Sequence, residues 1–141
     1  MKLNILGIGD IVGRPGRMML HDKLRDLRVK EQIHFVVANG ENVANGAGIT
    51  PGEANDLLNS GVDVITGGDH VWGKKDIVPF ISTTSRLLRP ANYPAAQPGA
   101  GYTVVETLAG KIGVLHIVGR VFMTQMQAEC PFTVAETVAK K

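Results

Sequence analysis

Apolar residues in this chain fall into short runs, each closed by glycine and a polar group, with longer stretches of helical periodicity between them. Leu3 to Ile8 is the first run and predicts a buried strand ending in the loop Gly9-Asp10-Ile11-Val12-Gly13-Arg14-Pro15-Gly16. A helix is expected from about Pro15, because proline suits a first helical turn, and Leu20, Leu24 and Leu27 mark its apolar stripe. His34 to Ala38 predicts a second strand, followed by Asn39-Gly40-Glu41-Asn42. Thr50, Pro51 and Glu53 form a capping-box signature for a second helix that buries Leu57 and Leu58 and stops at Gly61. Val62 to Thr66 is a third strand, ending in Gly67-Gly68-Asp69-His70.

Beyond that point the pattern predicts a short helix over Asp76 to Ser82 and an extended surface connection over Arg89 to Gly101, where Pro90, Pro94 and Pro98 recur. Tyr102 to Thr107 and Lys111 to Val118 alternate around Leu108-Ala109-Gly110, as a hairpin does, and Pro131 is placed to start a last helix. Strand and helix alternating in this order imply an α/β layer with a parallel sheet. Ligands in such sheets bind at the carboxyl ends of the strands, where all three glycine-bearing loops would converge.

Composition narrows the classes. At 141 residues the chain accommodates one domain, 1–141, and not two ordinary ones. A net charge of +2, with the basic residues dispersed, gives no footprint for nucleic acid. No run reaches the roughly 18 apolar residues of a membrane span, and the N-terminus carries no signal-peptide pattern. With one cysteine, Cys130, no internal disulfide can form, and a cytoplasmic location is expected.

The loops carry the chemistry. Asp10, then Glu41 with Asn42, then Asp69 with His70 each follow a strand directly. Carboxylate and amide oxygens suit hard divalent metals, and imidazole suits iron, manganese or zinc. A carboxylate such as Glu41 can bridge two ions about 3.5–4 Å apart, the spacing used for in-line attack on phosphorus. Two ions lower the pKa of water enough to supply a nucleophile near neutral pH, and histidine titrates where a leaving oxygen needs its proton.

Gly9-Asp10-Ile11-Val12-Gly13-Arg14-Pro15-Gly16-Arg17, Ala38-Asn39-Gly40-Glu41-Asn42, Gly48-Ile49-Thr50-Pro51 and Gly68-Asp69-His70-Val71-Trp72 resemble motifs of the bacterial YmdB-like metallophosphoesterases. So do Arg86-Leu87-Leu88-Arg89-Pro90-Ala91-Asn92-Tyr93-Pro94 and Gly119-Arg120-Val121-Phe122-Met123, in the same order along nearly the whole chain. The resemblance implies an α/β fold that is the N-terminal portion of a calcineurin-like β-sandwich flanked by helices. It also implies a dinuclear metal centre, with iron first and manganese or zinc as alternatives. The substrates implied are phosphodiesters such as 2′,3′-cyclic nucleotides, including RNA-derived ones. By the same resemblance Asp10 and Asn42 bind one metal, Glu41 bridges both, Asp69 binds the other, and His70 is the catalytic proton donor.

Two departures from that pattern stand out. Asp69 occupies a position where the family usually has asparagine; it keeps a ligand but lacks an NH₂ donor and would repel an anionic substrate. The family's distal histidines have no counterpart here, since His21, His34 and His116 read as ordinary structural residues, so the chain is expected to be a fragment or a truncated gene product. An uncovered sheet face would then favour homo-oligomers.

Two other readings compete: a catalytically silent remnant that binds partners, and a nucleotide-binding module. Gly7, Gly9 and Gly13 miss the dinucleotide spacing by one residue, and Asp10 would oppose a pyrophosphate. Trp72 is either a wall of the site or a packing residue. Arg14 and Arg17 either contact phosphate or pair with acidic neighbours.

Overall fold

The computed structural model describes residues 2–123 and 127–141. Four strands, β1 (Ile5–Asp10), β2 (Phe35–Asn39), β3 (Val64–Thr66) and β4 (Leu87–Leu88), pair in parallel in chain order. Helices α1 (Gly13–Lys30) and α2 (Pro51–Ser60) form the first two crossovers, and a short α3 (Ile77–Ile81) lies in the third. Because the strand order never reverses, right-handed crossovers put these helices on a single face of the sheet. Leu24 and Leu57 pack there with Val36, Ala38, Ile65 and Leu87 in the main core.

The opposite face is covered differently. The antiparallel hairpin β5 (Tyr102–Thr107) and β6 (Gly110–Leu115) sets Ile112 against Phe35, Val64 and Leu88. That cover reaches β2, β3 and β4 and leaves β1 open. β1 is also the first strand in the order and so an edge strand, with Ile5 52% exposed and Gly7 and Gly9 facing free space. The expectation of a buried first strand is corrected here, because an apolar run looks alike on an edge and in the middle of a sheet.

α2 begins as expected. The Thr50 hydroxyl accepts from the Glu53 N–H, and the Glu53 carboxylate accepts from the Thr50 N–H, completing the capping box. Gly61 ends the helix in the left-handed conformation, at φ 113°. α4 (Pro131–Ala139) starts at the expected proline.

The segment after β4 differs from the surface connection read from its prolines. Arg89, Asn92 and Tyr93 are buried, and Arg89 donates to the carbonyls of Pro98 and Pro90. Prolines lack an N–H, so a segment rich in them enters a core only when side chains satisfy its carbonyls, as the Arg89 guanidinium does. Among the described residues no helix is long and apolar enough to cross a membrane.

Candidate metal centre

Each parallel strand ends on the same rim and hands over to a loop that turns at once. β1 ends at Asp10 after a register shift beside Ile8, and the Ile11 N–H then donates to the Asn39 carbonyl at 3.1 Å. β2 ends at Asn39, whose Oδ1 accepts from the Glu41 N–H at 2.9 Å and turns the chain so that Glu41 and Asn42 face the rim. β3 ends at Thr66, and Gly67-Gly68 bring Asp69 and His70 back across it.

The five residues anticipated from the sequence meet there in two linked groups. The Asn42 amide donates to both Asp10 carboxylate oxygens at 3.0 and 2.8 Å, and Asn42 Oδ1 lies 2.8 Å from His70 Nδ1. Ligand atoms of Glu41, Asp69 and His70 all lie within 4.8 Å of one another. The Asp69 N–H donates to Glu41 Oε2 at 3.2 Å, and Asn39 Nδ2 donates to Glu41 Oε1 at 3.2 Å. His70 stands between the groups, with Nε2 3.9 Å from Asp69 Oδ2.

Backbone freedom permits this approach at one position above all. Gly68 sits at φ +56°, and a Cβ there would fall 1.5 Å from Glu41 Oε2. Only glycine brings the Asp69 loop this close to Glu41.

Electrostatics reflect the crowding. Burial holds the Glu41 carboxyl above its ordinary value, and the hydrogen bond and negative charge of Asp69 push it further, while Asn39 and His70 pull it back. Burial also raises the Tyr93 hydroxyl, and the charges of Asp69 and Glu41 add to that. Two carboxylates pressed together beside an imidazole are the donor set a hard or borderline cation would neutralise.

His116 is the site residue that sequence reasoning passed over. It lies just after β6, and its Nε2 accepts from the Gly68 N–H at 3.1 Å, forty-eight positions away in sequence. Burial lowers its pKa to about 4, so the imidazole is neutral and able to accept. A cleft of about 420 Å³ joins His116 to Glu41, Asp69 and the segment from Val118 to Met123.

The other candidates lie outside this cluster. Arg17 donates to the Glu53 carboxylate and the Val43 carbonyl, both at 2.8 Å. Trp72 packs against the main core and donates to Gln97 at 3.3 Å. His34 accepts from the Asn4 N–H, and exposed His21 lies against Asp22. Arg14 lines a separate groove with Met18 and His21.

A parallel α/β sheet whose strand ends gather carboxylates, an amide and an imidazole offers the donor set of a metal-binding site. The same fold occurs in the crystal structure of a hypothetical protein from Thermus thermophilus (TM-score 0.88, 30% identity), covering 97% of this chain and 52% of that one. It occurs also in a novel phosphatase from Mycoplasma pneumoniae (TM-score 0.87, 27% identity), covering 96% of this chain and 50% of that one. The 2′,3′-cyclic-nucleotide 2′-phosphodiesterase of Bacillus subtilis (strain 168) is 41% identical over 134 residues, 95% of this chain and 50% of that protein.

The family model for YmdB-like proteins matches residues 6–141, and the chain belongs to that family. It spans about half the length of these relatives.

Proposed function

We propose that this chain carries the strand-end ligands of a phosphodiesterase that binds two metal ions and hydrolyses phosphodiesters of the 2′,3′-cyclic nucleotide type. The observation that supports this best is the convergence of Asp10, Asn42 and His70 with Glu41 and Asp69 on one rim. Asp10 and Asn42 would hold one ion, Asp69 the second, and Glu41 would bridge them. When bound, such ions polarise a phosphoryl oxygen and lower the pKa of water.

The chain's own residues do the rest. Asn39 and the Asp69 N–H fix both Glu41 oxygens, so the bridging carboxylate is oriented before metal arrives. His70, held through Nδ1 by Asn42, presents Nε2 toward Asp69. From there it can protonate the leaving oxygen as the P–O bond breaks, with water supplying the oxygen that enters. The products are a phosphomonoester and the freed hydroxyl.

Hydrolysis of bis-p-nitrophenyl phosphate and of a 2′,3′-cyclic nucleotide with added manganese tests the reading. Turnover that falls at least a hundredfold in His70→Ala is expected. Turnover that does not depend on metal or on His70 would contradict it.

The open side of β1 supports a second proposal, that copies of the chain associate through it. An edge strand with exposed Ile5 and one side free of a strand partner among the described residues is a template for pairing. Light scattering is expected to show a dimer or higher species that Ile5→Lys reduces to monomer; a wild-type monomer at all concentrations would count against this.

A further inference from the structure

The cleft beside the candidate metal centre is electrostatically lopsided. Glu41 and Asp69 both line it, two carboxyl groups where an anionic ester would have to settle. Arg120 is the sole arginine or lysine among the described residues lining it. His116 in its base is neutral through burial and already accepts a hydrogen bond from Gly68.

Arg120 is also available. It is exposed, its Nη1 donates to the Ala128 carbonyl at a long 3.3 Å, and among the described residues it pairs with no carboxylate. Arg17 differs, being tied to Glu53 and Val43, and Arg14 lines another groove.

The backbone that carries Arg120 is held against the segment after β4 by a buried side chain. Asn92 is fully buried, and its amide donates to the carbonyls of Val118 at 2.9 Å and Glu129 at 3.1 Å. Its Oδ1 accepts from the Val118 N–H at 3.1 Å, and its own carbonyl accepts from the Glu129 N–H at 2.7 Å. The Met123 N–H then closes a turn on the Arg120 carbonyl at 3.1 Å. Arg120 thus stands at the start of a hydrogen-bonded turn, two residues from an anchored point.

From this geometry we infer that Arg120 is a substrate-binding residue, taking the non-bridging oxygens of a phosphate bound in the cleft that Glu41 and Asp69 also line. The inference rests on the phosphodiesterase reading and names the group that counters the substrate's charge within it. A guanidinium presents two parallel N–H groups to two phosphate oxygens, whereas lysine offers a point charge.

The test uses the full chain loaded with Mn²⁺ and titrated with inorganic phosphate by calorimetry, beside Arg120→Ala and Arg120→Lys. Phosphate binding is expected to weaken at least tenfold in the alanine variant and less in the lysine variant, with Mn²⁺ affinity unchanged in both. Added salt should weaken wild-type binding more than binding to the alanine variant. Equal phosphate affinity in wild type and Arg120→Ala, or no phosphate binding by wild type, would overturn the assignment. So would a parallel loss of Mn²⁺ binding in the alanine variant, since that would make Arg120 structural. Arg120-dependent phosphate binding without hydrolysis of any ester would leave Arg120 a phosphate-binding residue and sink the phosphodiesterase reading. Hydrolysis with Arg120-independent binding would do the reverse.

Discussion

Gly68, Asp69 and His116 show how single residues set the properties of the rim. Replacing Gly68 with alanine puts a methyl carbon onto the Glu41 carboxylate and a side chain at φ +56°. The expected result is loss of Mn²⁺ binding and a stability loss of at least about 1 kcal/mol, seen by titration and urea denaturation. Asp69→Asn removes a charge that adds to the upward push of burial on Glu41, and brings an NH₂ donor. Phosphate should then bind the Mn²⁺-loaded protein more tightly, as calorimetry would show; unchanged or weaker binding would mean that repulsion by Asp69 does not limit phosphate affinity. His116 gives a pH signature in metal-free protein. Its folded pKa of about 4 lies below the ordinary 6.5, so the unfolded chain binds the extra proton first. Its contribution is complete above about pH 6.5 and lost as pH falls toward 4, a decline of at most about 3 kcal/mol. His116→Gln should flatten that part of the stability–pH curve. The convergence of the candidate ligands on one rim was legible because each follows an apolar run directly. His116 was not, because its partner Gly68 is distant in sequence and only the packing of the hairpin on the sheet brings them together.

At the scale of elements, local signals read well where they are complete within a few residues. The Thr50–Glu53 box, the Gly61 stop and the hairpin around Gly110 all lie where their sequence cues put them. Thr50→Ala removes the cap and should cost about 1 kcal/mol, measured as a shift in the denaturation midpoint with an unchanged slope. Two elements escaped for physical reasons. β4 is two residues long, too short for any periodicity, and exists because β3 offers it a parallel partner. The buried stretch from Arg89 to Tyr93 carries Pro90, with Pro94 and Pro98 following, a pattern that suggests surface, yet Arg89 and Asn92 satisfy its carbonyls and those of its neighbours. β1 was found, with its environment misjudged: edge and centre differ in neighbours, which the sequence of one strand does not contain.

Across the whole molecule, one sheet face is closed by helices and the other only partly by a hairpin, and the rim between them gathers the candidate ligands. Membership of the YmdB-like family fixes the ancestry of that rim, while the chain spans about half of its relatives' length. Whether the rim holds metal is therefore the point on which the account turns. Metal stoichiometry by native mass spectrometry after manganese loading, compared with Glu41→Gln, tests it directly. Two ions per chain in wild type, with both weakened in the variant, is the expected result. No bound manganese, or binding unaffected by the loss of Glu41's charge, would contradict the account.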